Sequence, residues 1–184
     1  MMESMLKLPD DLFKQEILQY ITVYDIVKLD NACMNREYRP QLLEKINGVI
    51  LLGDNDEYMK ASLFKWLGMR RIYLINMKIV VSNFYSTVSD MENDYVDQFR
   101  YTQHAAMKGP IRHDMAIFII SHCPCLCSID ITVSGVFKYY YSSSPQVTDR
   151  TLKSIAEHCN RLQSLSLSCC SEIRDTGLIA ISVH

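Results

Sequence analysis

Nowhere in the 184 residues is there the run of ~20 consecutive apolar residues that a helix needs to cross a bilayer, so no membrane is expected as a partner. The first residues, Met1 to Asp11, lack the positive region and apolar stretch of a secretory signal. Charge of one sign is missing too: 19 Lys and Arg against 21 Asp and Glu leave −2. A nucleic-acid binder needs a basic face to displace phosphate counterions, so nucleic acid is not an expected partner. Gly-x-Gly-x-x-Gly, a Walker loop, a nucleophile elbow and His-Glu-x-x-His are all absent, and no cofactor is implied. What is present is ordinary for a globular chain, at 48% apolar and 22% charged, which excludes wholesale disorder. The length suits one domain or two small ones. Without a secretory signal, the seven cysteines read as reduced thiols in the cytoplasm or nucleus.

Three short helices are predicted in the first forty-five residues. Leu8-Pro9-Asp10-Asp11 opens the first, with Pro at the first helical position and two carboxylates at the positive end of the dipole. Phe13, Ile17 and Ile21 recur at spacing four, with Leu12 and Leu18 beside them, and predict an apolar stripe. Thr22-Val23-Tyr24-Asp25 predicts a capping box for a second helix carrying Ile26, Leu29 and Cys33. A third is predicted from Pro40 through Leu42, Leu43 and Ile46. So small a unit buries little core by itself and must lean on a neighbour or a partner.

Leu8-Pro9, Glu16-Ile17-Leu18, Tyr20-Ile21, Asp25-Ile26, Leu29 and Cys33 together resemble an F-box over roughly residues 6–40. The resemblance implies docking on the Skp-type adaptor of cullin-based ubiquitin ligases, with Leu8, Pro9, Ile17, Leu18 and Ile21 in contact with that adaptor. Where the family often carries a Trp, this chain has Asn35-Arg36-Glu37-Tyr38. The alternative is that these helices simply cap the following domain.

Beyond them the chain repeats. Val147 to His158 aligns with Ile173 to His184 at an offset of 175 − 149 = 26, and Ile119 to Ile131 aligns with Ile155 to Leu167 at 159 − 123 = 36. The phrase L-x-x-L-x-L appears as Leu126/Ile129/Ile131 and Leu162/Leu165/Leu167, as Met69/Ile72/Leu74, and faintly as Ile46/Val49/Leu51. A helical pattern precedes each, such as Tyr58 to Trp66 or Leu152 to His158. A strand and helix recurring at such spacing must stack on its neighbours to bury its apolar face. With Cys123 and Cys159 at helix ends and Cys170 after a strand, the form resembles the cysteine-containing class of leucine-rich repeats. The fold class implied is α/β: a short leucine-rich-repeat solenoid over 46–184, parallel strands inside and helices outside, behind an F-box-like segment over 1–45.

Leu74 and Leu126 lie 126 − 74 = 52 residues apart, yet 82–110 holds no such phrase and reads as an insertion, with Ser89 to Asp97 acidic and polar. A second insertion near 133–146 carries Tyr139-Tyr140-Tyr141, either a binding patch or residues packed back on the solenoid. His184 aligns with His158, so the last repeat is expected to be incomplete.

In each phrase the residues between the aliphatics face the open side of the sheet. These are Arg71 and Tyr73, Ser128 and Asp130, Ser164 and Ser166, a small polar surface suited to a protein or peptide substrate. His122-Cys123-Pro124-Cys125-Leu126-Cys127 invites a zinc reading, but Cys123 falls on a repeat position and no C-x-x-C spacing is present. His122 and His158 recur together and suit helix C-termini, where imidazole meets free carbonyls. No cysteine stands out as a nucleophile. The chain reads as a non-catalytic adaptor, a substrate-recognition subunit of a ubiquitin ligase; the alternative is a leucine-rich-repeat module without ligase association.

Overall fold

The computed structural model describes residues 2–33, 37–53, 61–80, 96–133 and 147–183. The Asn35-Arg36 pair, the start of the helical pattern at Tyr58, the acidic stretch from Ser89 to Asp94, the Tyr139–Tyr141 run and His184 lie outside the described residues.

Helix α1 spans Met2–Leu6. Helix α2 changes pitch along its length, α-helical at Asp10–Leu12, π-helical at Phe13–Ile17 and 3-10 at Leu18–Tyr20. Pro9 caps it, one residue ahead of the expected first helical position, because its ψ of 146° keeps it extended. The wide π turn shifts the apolar stripe. The Leu18 N–H reaches back five residues to the Phe13 carbonyl, so Phe13 and Leu18 are buried together while Ile17 is only half-buried. Ile21 lies past the helix in extended conformation.

The Thr22 capping box of α3 (Val23–Ala32) forms as expected. The Asp25 N–H donates to Thr22 Oγ1 at 3.2 Å and the Thr22 N–H to Asp25 Oδ2 at 3.3 Å. Helix α4 (Tyr38–Ile46) starts two residues before Pro40, which the first turn tolerates because its N–H groups lack intrahelical partners. From α4, Lys45 Nζ donates to the Leu8 carbonyl at 2.8 Å and the Asp10 carboxylate at 2.7 Å, and stands 5.5 Å from the Phe13 ring centroid.

Next come β1 (Ile50–Leu51), α5 (Ala61–Met69), β2 (Tyr73–Leu74), β3 (Asn76–Val80), a 3-10 turn (Val96–Phe99), β4 (His104–Gly109), α6 (His113–Ser121), β5 (Ser128–Val133), α7 (Asp149–His158), β6 (Ser164–Ser168) and α8 (Asp175–Ser182). Every strand pairing is parallel, in the orders β1-β2 and β3-β4-β5-β6. Ile75 joins the two sheets. Its N–H donates to the Leu51 carbonyl, while its own carbonyl accepts from Gln103 and His104. The fold is therefore α/β with parallel sheets. Met77, Ala105 and Ile129 form one buried row, and Ile79, Met107 and Ile131 the next.

Two expectations need correcting. Residues 82–110 are not all insertion, because β4 occupies 104–109 and pairs with both β3 and β5. Thr102 before it and its buried Ala105 and Met107 fill the places that leucines and isoleucines fill around β5 and β6, and Phe99 stands in the place of Cys123 and Cys159. The same tight turn precedes β4, β5 and β6, with Thr102 N–H to Phe99 O, Leu126 N–H to Cys123 O and Leu162 N–H to Cys159 O. The second correction is one of register. Ile72 and Leu74 of the expected phrase are buried and Leu74 pairs with Leu51 of β1, but the residues aligned with Ile129 and Ile131 are Met77 and Ile79, so a further phrase, Leu74/Met77/Ile79, carries β3. Met69 ends α5 and is 61% exposed. The two phrases share Leu74: the first lines up with β1 and the second with β4 and β5.

The helices are clasped at their N-termini. His113 Nδ1 at the start of α6 lies 2.8 Å from Thr151 Oγ1 in the first turn of α7. One unit on, Asp149 accepts the Arg174 N–H at 2.7 Å and the Thr176 hydroxyl at the start of α8. A Cβ at Gly177 would stand 2.6 Å from Asp149 Oδ1, so only glycine permits this approach. At the other ends, His122 Nδ1–H donates to the Phe118 carbonyl at 2.7 Å and His158 Nδ1–H to the Ser154 carbonyl at 2.9 Å, the capping role predicted for this pair.

Burial holds the His113 imidazole below its ordinary value, with Arg150 adding to the effect and Asp114 opposing it. The unfolded chain therefore takes up a proton near pH ~6.5 that the folded chain resists, and stability drops as pH falls through that value. Urea midpoints measured on either side of that pH are expected to decrease on acidification, and to do so less steeply for His113→Gln.

Candidate functional site

The first candidate surface is the Leu8-Pro9 start with α2. Lys45 holds its backbone against α4, leaving Pro9 exposed and Leu8 half-buried against the core. Of the five residues expected to meet an adaptor, Pro9 is open, and Leu8, Ile17 and Ile21 are half-buried. Leu18 is only 5% exposed and belongs to the core, because the π turn rotates it inward beside Phe13. The large apolar side chains left outside are Leu12, 46% exposed, and Tyr20, 79% exposed. The periodicity placed Leu12 beside the buried stripe, and Tyr20 carried no signal of exposure.

This surface is fixed to the rest of the chain through Asp30 on α3. Its carboxylate is 1% exposed and accepts from Arg39 Nε at 2.8 Å, Arg39 Nη2 at 3.3 Å and Trp66 Nε1 at 3.1 Å, with Arg70 Nη2 at 3.6 Å. Burial alone raises the pKa of such a group, but hydrogen bonds from Arg39 and Trp66 and the charges of Arg39 and Arg70 outweigh it and hold Asp30 below the usual carboxylate value. No motif in the sequence pointed to Asp30; its partners lie nine to forty residues away.

The second candidate surface is the open face of the sheet. Parallel sheets are usually covered on both faces, whereas here alternate residues stay accessible. The pairings align Asn76-His104-Ser128-Ser164, then Lys78-Ala106-Asp130-Ser166, then Val80-Lys108-Thr132-Ser168. Ser128, Asp130, Ser164 and Ser166 lie on this face as expected. Arg71 and Tyr73 are not in these rows. Arg71 sits in a turn with φ of 52°, and Tyr73 belongs to β2, packed edge-on against Tyr101 with centroids 5.0 Å apart. Asn76 and Lys78 take the places assigned to them. His104, Ala106 and Lys108 were missed with the strand that carries them.

All seven cysteines are free. Among the described residues no group of three or more His, Cys, Asp or Glu is placed to hold a metal ion. Burial pushes the Cys123 thiol far above the ordinary range and Cys159 up to about 11, so neither is a thiolate at neutral pH. No helix among the described residues is long and apolar enough to cross a membrane.

Fold and surfaces together define an α/β protein with a parallel sheet open on one face. No protein-family model matches the chain, and no curated protein matches it.

The register assignment has a direct check in chemical denaturation. Ile79→Ala is expected to cost about 2–5 kcal/mol as a core truncation, and Met69→Ala to stay within ~0.5 kcal/mol as a surface change. Arg71→Gly is expected to stabilise by up to ~1 kcal/mol, since glycine relieves the left-handed backbone. Removing Asp30 leaves two arginines and an indole facing an empty site, and Asp30→Ala is expected to cost about 3–5 kcal/mol.

Proposed function

We propose that the chain is a non-catalytic protein-binding adaptor: its N-terminal helices dock an adaptor of the Skp type, and its strand–helix units, read as a short leucine-rich-repeat solenoid of the cysteine-containing class, hold a protein substrate for ubiquitin transfer. In this reading its place of action is the cytoplasm or nucleus. The observation that carries it is the separation of two surfaces on one coupled frame. Pro9, Leu12 and Tyr20 are exposed apolar side chains on the F-box-like helices, while three registered, mostly polar rows form the open sheet face. Large exposed apolar side chains suit a protein contact. Small polar side chains in rows suit recognition of an extended segment. The recurrent turn before β4, β5 and β6 and the helix clasps support the repeat reading.

A second reading, a repeat module without ligase association, is favoured by one observation. The Asp30 cluster ties α3 and α4 to Trp66 and Arg70, as a structural cap on the sheet would be tied. The two readings separate in a pull-down of purified chain with a purified Skp-type adaptor. The adaptor reading expects stoichiometric capture, lost in Leu8→Ala/Pro9→Ala and weakened at least tenfold in Leu12→Asp or Tyr20→Asp, as for anchors at the centre of an interface. Absence of capture by the wild type, or capture indifferent to all these changes, leaves the module reading.

A further inference from the structure

Strand β6 stands at one edge of the four-stranded sheet, and no further strand pairs with it among the described residues. It keeps the register of its neighbour, with Leu165 beside Ile129 and Leu167 beside Ile131. Yet Ile129 and Ile131 are buried, while Leu165 and Leu167 are only half-buried. The helices show the same step. Leu152 of α7 is 0% exposed, because α8 lies over it: a Cβ at Gly177 would stand 2.9 Å from the Leu152 Cδ1. Leu178, the matching residue of α8, is 51% exposed. On strand and helix alike, positions that are core one unit earlier are open on this side.

An edge with unpaired main-chain groups invites another strand, and edges are commonly blunted by Lys, Pro or a bulge. Ser164-Leu165-Ser166-Leu167-Ser168 has no charge and no proline, and it pairs with β5 residue for residue without a bulge. The Ser164 N–H is bonded inward, to the Cys127 carbonyl at 3.1 Å. Main-chain groups alternate in direction along a strand, so Leu165 and Leu167 present theirs to the open edge.

What selects the occupant is the symmetry of the strand itself. Its sequence reads the same in both directions about Ser166. Laid antiparallel on a second copy with Ser166 on the axis, Leu165 of each copy stands opposite Leu167 of the other. These are the residues whose main chain faces outward, and each such pair exchanges two hydrogen bonds. Leucines then meet leucines on the core side and serines meet serines on the open side, the self-complementarity that a twofold interface requires. Charge agrees. Arg161 precedes β6 and Glu172 follows it; both are exposed and enter no ion pair among the described residues. Arg174, further along, lies beside Asp149. Antiparallel pairing brings the Arg161 end of one copy to the Glu172 end of the other, whereas parallel pairing brings like charges together.

We propose that β6 is a homodimer interface: two copies of this chain join antiparallel at their β6 edges about a twofold axis through Ser166, which doubles the sheet and covers Leu178 of each copy with the α8 of the other. The two open faces then lie side by side on one surface.

Sedimentation velocity of the full chain over a range of concentrations is expected to show a reversible dimer. Leu178→Lys, a change at an exposed site, is expected to weaken it at least tenfold while leaving the circular dichroism spectrum unchanged. Cross-linking tests the register. In a Cys169→Ser background, Ser166→Cys is expected to link two copies under oxidised glutathione, because position 166 meets itself across a close antiparallel pair. Ser164→Cys is expected to link far more slowly, because Ser164 stands opposite Ser168. A monomer at every concentration, which leaves the edge to a strand of some other protein, overturns the proposal. So does open-ended assembly, a dimer indifferent to Leu178→Lys, or equal cross-linking at 164 and 166. Leu8→Ala/Pro9→Ala is expected to leave the dimer intact, so loss of adaptor capture and loss of the dimer are separate results.

Discussion

Three backbone carbonyls set the geometry on which everything else rests. Ile75 O accepts the N–H groups of Gln103 and His104, Gln103 O those of Cys127 and Ser128, and Cys127 O those of Gln163 and Ser164, all between 2.7 and 3.1 Å. Each forked bond starts the next strand at the same height as the last. Side chains alternate along a strand, so a slip of one residue would turn every core residue outward. With the height fixed, Met77, Ala105, Ile129 and Leu165 fall in one row, and Lys78, Ala106, Asp130 and Ser166 in another. The core and the open face are two consequences of one hydrogen-bond pattern.

Around that sheet, polar side chains lock the helices to one another. His113 and Asp149 each reach from the first residue of one helix into the first turn of the next. The two residues differ in chemistry but meet the same need, because the first turn of a helix carries N–H and hydroxyl groups that the helix itself leaves without partners. Asp30 performs a larger version of this task, binding α3, α4 and α5 through one buried carboxylate. A buried charge is tolerable only when paired, so the cluster holds α3 and α4 to α5 and the turn that follows it. Any partner docked on α2 therefore meets a preorganised surface, which lowers the ordering cost of binding.

Much of this was legible residue by residue. Thr22 and Asp25 announced their capping box because its parts are three residues apart. His122 and His158 announced their capping role because they recur in matched contexts. Leu126/Ile129/Ile131 and Leu162/Leu165/Leu167 marked β5 and β6 because their aliphatics keep a local period. Strand β4 escaped because Thr102, Ala105 and Met107 fill the leucine places with residues that carry no such period. His104 and Lys108 escaped with it, and Lys78 with β3, since a surface residue is identified only once its strand is known.

The sequence by itself determined local matters: helix caps, the alternation of strand residues, and the phrases that mark β5 and β6. Each depends on residues a few positions apart, whose backbone geometry is shared whatever the rest of the chain does. The tertiary structure decided that two overlapping phrases, both containing Leu74, would pair with different strands, that Leu18 would turn inward, and that Asp30 would meet Arg39, Trp66 and Arg70. Those outcomes depend on which atoms compete for the same space and the same hydrogen bonds across long stretches of chain, and no local pattern encodes that competition.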